Sequence, residues 1–164
     1  MQENETIREE LLQYVSDLSD DQLNKKEDEN SWSIIQVLEH LYLLEQVITK
    51  SISKELASEE SVAVEDKPIH LSVNRTKKVS APPYVTPSDK YQTLAEIKAK
   101  LAESRAALNR VVDEADEEQL EQKSMPHPAF GALSLKQWIP FIGLHEKRHL
   151  EQIKEIKEKI AQKQ

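Results

Sequence analysis

The stretch Gly143-Leu144-His145-Glu146-Lys147-Arg148-His149 sets two histidines four residues apart. On a helix that spacing is one turn, so both imidazoles project the same way. Stacked like this they repel if both are protonated, and a divalent metal removes the conflict. Neutral imidazole is a ligand for zinc, nickel, iron or copper. A third histidine, His40, lies three residues after Val37 and four before Leu44, on the face of an apolar stripe. A pair at i, i+4 with one residue from a facing helix makes a three-point site with open coordination positions. That arrangement suits a catalytic metal rather than a closed structural one. The bland alternative is a hydrogen-bonded core histidine at 40 and a chance pair at 145 and 149.

The same residues match H-E-x-x-H, in which the glutamate of a zinc protease activates water. The long form of that motif needs glycine three places after the second histidine and a third histidine six places after it. Gln152 and Glu155 stand there instead. Glu146 is turned by about 100° from His145, toward a flank that carries Lys147 and Arg148. Glu146 is therefore expected at the surface, and the protease reading is set aside.

Four amphipathic segments must position these residues. The first covers roughly 3–19, with Ile7, Leu11, Tyr14 and Leu18 on one face. The second starts near Ser31 or Ser33 and carries Ile34, Val37, Leu38, Leu41, Leu44, Ile48 and Ile52. The third is expected to open at Thr86-Pro87-Ser88, with a stripe through Leu94, Ile97, Leu101, Leu108 and Val111 or Val112. The fourth opens at Ser134 with Gln137 as a capping box. Its stripe is Trp138, Ile142, His145, His149, Ile153, Ile156 and Ile160. Pro140, with Gly143 just after it, predicts a bend or widened turn before His145. The long connection at 59–86 carries a small basic cluster, Arg75, Lys77 and Lys78. It reads as a solvated crossover, or as a functional loop. Pro126 and Pro128 bar helix from the next loop. The expected fold is all-α: an up-down-type four-helix bundle, one domain over residues 1–164, with its long connection between helices two and three.

Composition agrees and excludes other classes. The 164 residues hold only two glycines and five per cent aromatics, against a β-sandwich or barrel. A formal net charge of −8 makes nucleic acid an unsuitable partner. The absence of cysteine excludes disulfides and protein thiolates and fits a reducing cytoplasm. No apolar run follows a basic start, so no signal peptide is expected. The run Ile34–Leu44 is interrupted by Gln36, Glu39 and His40, so no membrane span is expected.

Two blocks carry a family resemblance. Residues 32–45, WSIIQVLEHLYLLE, and residues 127–153, HPAFGALSLKQWIPFIGLHEKRHLEQI, resemble the DinB-like superfamily of metal-binding four-helix bundles, with its YfiT and bacillithiol-transferase branch. The shared pattern is a Trp-Ser start before a histidine, then His-Pro, Gly, Trp and H-x-x-x-H-x-x-Q. The resemblance implies His40, His145 and His149 as metal ligands, with nickel or zinc as the metal. It implies a thiol S-transferase or hydrolase acting on a small-molecule substrate, with a low-molecular-weight thiol as a possible co-substrate, and a homodimer. The alternative is a non-catalytic, metal-stabilised bundle that binds a ligand or an interaction partner.

Other residues keep two readings each. His127 can serve as acid or base near the open face, or be a turn histidine between two prolines. Gln152, one turn past His149, can hydrogen-bond a ligand or metal-bound water, or fill the core edge. Arg105 can pair with an anionic substrate, or snorkel to the surface. Trp32 and Trp138 pack helix starts or wall a pocket. His70 is expected in solvent.

Overall fold

The structure, a computed structural model, describes residues 1–73 and 82–162. Arg75, Lys77 and Lys78 lie outside the described residues. Four long helices form the bundle: α1 (Gln2–Val15), α3 (Ile34–Leu56), α4 (Leu94–Glu114) and α6 (Leu135–Gln162). Two short helices, α2 (Asp20–Asn24) and α5 (Glu117–Gln122), lie in the connections. α1 packs on α6, α3 on α4, and α3 also on α6. The four-helix bundle expected from the stripes is the observed architecture.

Local chemistry sets the helix starts. Ser33 accepts from the Gln36 backbone N–H while the Gln36 side chain accepts from the Ser33 N–H, a complete capping box. The third long helix starts later than expected, at Leu94, where Thr93 accepts from the Glu96 N–H. Thr86-Pro87-Ser88 is not its cap: Thr86 closes the preceding 3-10 turn and Ser88 is engaged by α3. The Ser88 N–H donates to Glu39 and its carbonyl accepts from Gln36. At α6 the capping box is half made. Ser134 caps the Gln137 N–H at 3.1 Å. The Gln137 amide instead reaches the crossover, making 2.8 Å bonds to both the N–H and the carbonyl of Lys67. The expected widened turn at Pro140 does not interrupt α6.

The segment that resembled a proline-rich loop contains a hairpin. Strands β1 (Ser124–His127) and β2 (Gly131–Ser134) pair antiparallel, with Ser124 opposite Ser134 and His127 opposite Gly131. Gly131 turns the chain at φ +74°, a conformation that suits glycine. The crossover between α3 and α4 contributes two 3-10 turns, Ile69–Val73 and Pro83–Val85. The first packs on α6 and the second on α3.

The apolar interior is divided in two. One cluster holds Leu11, Val15, Leu38, Leu41, Leu101, Leu150 and Ile153 among others. The other holds Ile48, Ile52, Leu108, Met125, Leu133, Trp138 and Ile142. Along α3, α4 and α6 alike, polar side chains stand between these clusters: Glu45, then Ser104 and Arg105, then His145, Glu146 and His149. No helix among the described residues is long and apolar enough to cross a membrane.

Candidate metal centre

His40 on α3 and His145 and His149 on α6 converge at this polar level. Their ring centroids are 5.2 Å apart for His40 and His145, 4.8 Å for His40 and His149, and 4.4 Å for His145 and His149. One ligand nitrogen from each lies within 4.8 Å of the others. His40 is buried, whereas the two α6 histidines are partly exposed, so the cluster is not sealed on that side.

Hydrogen bonds orient two of the rings. His40 Nδ1 lies 2.7 Å from the Val85 carbonyl, an acceptor only, so Nδ1 carries the proton and Nε2 keeps its lone pair. His149 Nδ1 lies 2.7 Å from Gln152 Oε1, which fixes the same tautomer. His149 Nε2 and His145 Nε2 stand 3.1 Å apart. Burial lowers the His40 pKa against the opposing effect of the Val85 bond. Burial, then the charges of His149, His40 and Arg148, hold His145 well below the usual range. Three imidazoles brought together in this way, two with Nδ1 bonded elsewhere, are a donor set that a divalent transition metal takes. Among the described residues no fourth His, Asp or Glu joins the group, so a metal there would keep open positions.

The remaining candidates separate. Gln152 acts through His149, as just described. His127 is half-buried in the hairpin; its Nδ1 accepts from the N–H groups of Ala129 and Phe130. Its proton is thus on Nε2, which makes that edge a donor and leaves no free lone pair for a base. Its ring packs on Phe141 at 4.6 Å, and Phe141 stands 6.0 Å from His145. Trp32 lies 5.2 Å from His40, and Trp138 donates to the Met125 carbonyl. His70 is exposed. Arg105 neither snorkels nor faces a substrate site. It is 5 % exposed and bonds Glu45 at 2.8 Å, Glu146 at 3.0 Å and Glu5 at 3.0 Å.

Glu146 corrects the sequence reading outright. It is 1 % exposed, not on the surface. Its carboxylate accepts from Arg8 of α1 and Arg105 of α4, so it is engaged away from any metal. The protease reading fails, but through a buried ion pair rather than solvation. Burial pushes the Glu146 carboxyl up, opposed by Arg8 and Arg105. Arg8 moves the other way: burial opposes its charge, yet Glu146 and Glu45 together outweigh that and raise it. A guanidinium does not deprotonate in a protein, so Glu146 faces two fixed positive charges. Arg8 and Glu45 were missed. The available signal was an interrupted stripe: Arg8 precedes Leu11 and Val15, Glu45 falls between Leu41 and Ile48, and Arg105 between Leu101 and Leu108.

A family model for the DinB superfamily matches residues 3–153. The chain belongs to the DinB superfamily. This DinB-superfamily chain is 38 % identical over 143 residues to the uncharacterized protein YuaE of Bacillus subtilis strain 168, covering 87 % of this chain and 88 % of YuaE. Two solved structures share the fold. TT2238, a four-helix bundle protein, superposes with a TM-score of 0.63 at 23 % identity, over 93 % of this chain and 94 % of that one. YfiT from Bacillus subtilis, described as a probable metal-dependent hydrolase with an unusual four-helix bundle topology, superposes with a TM-score of 0.64 at 17 % identity, over 98 % and 85 %.

Proposed function

We propose that this protein is a metal-dependent enzyme that activates a small nucleophile, water or a low-molecular-weight thiol, for hydrolysis or S-transfer. The observation that carries this reading is the convergence of three imidazoles on one partly exposed point, two with their outer N–H groups bound. His40, His145 and His149 would hold the metal through Nε2, with nickel or zinc the fitting ions. When bound, the ion supplies a Lewis acid that lowers the pKa of the nucleophile toward neutrality. The description of YfiT as a hydrolase agrees with this.

The chain's own residues do the rest. Val85 and Gln152 hold the rings of His40 and His149 in one tautomer. Trp32, on the His40 side, and Phe141, on the His145 side, give the centre apolar walls that limit water. His127, beyond Phe141, presents an N–H donor rather than a base.

Metal analysis of the purified protein, with nickel and zinc reloading, tests the reading. One equivalent of metal is expected, abolished in His40→Ala, His145→Ala and His149→Ala. Thiol-dependent and hydrolytic turnover of electrophilic substrates should appear only in the loaded form. A metal-loaded protein inert in every such assay would favour the non-catalytic, metal-stabilised bundle.

A further inference from the structure

The glutamate of the H-E-x-x-H stretch has no role in the function just proposed, yet it sits at a junction of all four long helices. Arg8 comes from α1, Glu45 from α3, Ser104 and Arg105 from α4, and Glu146 from α6. All are 1–6 % exposed. Arg8 Nε lies 3.2 Å from both Glu146 oxygens, and its terminal nitrogen reaches Glu146 and, at 3.3 Å, Glu45. Arg105 Nε bonds Glu45 and its terminal nitrogen bonds Glu146. Arg8 also donates to the Leu101 carbonyl, and Ser104 to Glu45. Two cations thus grip two carboxylates, and each cation touches both.

The two carboxylates are on the two helices that carry the histidines. Glu146 follows His145 directly, and Glu45 is five residues after His40. We propose that this buried charge network sets the rotation and axial register of α6 against α3, and is thereby a determinant of metal affinity. The reason is geometric. A one-residue slip turns a helix by about 100° and moves it by about 1.5 Å, which would swing His145 and His149 off the point they share with His40. Leucine and isoleucine contacts tolerate repacking and small slips, whereas forked guanidinium–carboxylate bonds do not. A buried ion network is in general weak evidence for stability, since apolar replacement is often neutral. Its value here is position. Arg8, Glu45, Arg105 and Glu146 are positioning residues.

The inference rests on the three-histidine metal reading, and the test separates the two. Cobalt(II) titration, followed by its visible d–d absorption, reads affinity and coordination geometry without turnover. Absence of binding to the wild-type chain sinks the metal reading itself. Given wild-type binding, two variants are compared. The fourfold replacement Arg8→Leu, Glu45→Met, Arg105→Met and Glu146→Met removes the four buried charges together. Only the half-exposed Glu5, a partner of Arg105, keeps its charge. The variant is expected to stay helical by circular dichroism while binding cobalt about 10-fold or more weakly, with an altered spectrum. Arg8→Lys keeps the charge and removes the fork, and is expected to weaken binding several-fold with little loss of helix. Wild-type affinity and spectrum in the folded fourfold variant overturn the proposal. If that variant unfolds, Arg8→Lys decides alone, and wild-type binding by it overturns the proposal equally.

Discussion

Two polar islands share the middle of this bundle, and they are built on opposite rules. In the charged island every member has partners: Glu45 and Glu146 are 1 % exposed and each is bonded to two arginines. In the histidine island the outer nitrogens of His40 and His149 are bonded, while the Nε2 atoms of His145 and His149 meet each other at 3.1 Å. One island pairs opposite charges and is closed within the chain. The other gathers three like groups, two of them partly exposed, around one point. Adjacent residues, His145 and Glu146, belong to different islands because a helix turns by about 100° between them.

The contrast can be broken in order of expected effect. His149→Ala should abolish stoichiometric metal binding, read by metal analysis after dialysis, while leaving the apo melting temperature little changed. Equal loss of fold would erase the distinction. Glu45→Ala should do the reverse and destabilise by about 3–5 kcal/mol in urea unfolding, because two buried arginines lose a partner. A loss under 1 kcal/mol would show that the charged island is not held as described. Gly143→Ala should cost about 1–3 kcal/mol. A Cβ there would stand 2.2 Å from Asn4 Oδ1, and Asn4 is pinned by its 2.8 Å bond to the Ile139 carbonyl. Metal affinity should follow stability only if α6 shifts.

Gln152→Ala should weaken metal binding by about 10-fold with little effect on stability, since only the orientation of His149 is released. The mildest effect concerns pH in the metal-free protein. His40, His127 and His145 all have folded pKa values below 6.5. The unfolded chain therefore binds more protons in that window, so their contribution is present above about pH 6.5 and is lost as pH falls through the folded values. Melting temperatures of His145→Ala should depend less on pH below 6.5 than wild type does. An identical slope would remove His145 from the account.

The grouping of the three histidines was legible because His145 and His149 have helical spacing and His40 lay on a clean apolar stripe. Glu146 was misread because rotation away from His145 was equated with rotation into water. α6 packs on both α1 and α3, so its buried sector is wider than one stripe. A lone acidic residue gives no local sign of burial, and its counter-charges lie 138 residues away at Arg8 and 41 away at Arg105. The start of α4 misled for a similar reason. Thr86-Pro87-Ser88 has the composition of a cap, but Ser88 is taken by Glu39 and Gln36, contacts that exist only after folding. The hairpin at 124–134 was hidden by its four-residue strands, too short for an alternation to stand out.

The bond from His40 to Val85 restricts which amino acids can occupy position 40 in a redesigned or diverging chain. Aspartate, glutamate or cysteine could each donate electrons to a metal, but an ionised carboxylate or thiolate has no proton to offer the Val85 carbonyl at the same time. Imidazole has a donor at one edge and a lone pair at the other. A ligand swap at this position therefore unfastens the second 3-10 turn as it changes the coordination chemistry. Variation in ligand type should be easier to engineer on α6, at His145, whose ring carries no such tether among the described residues.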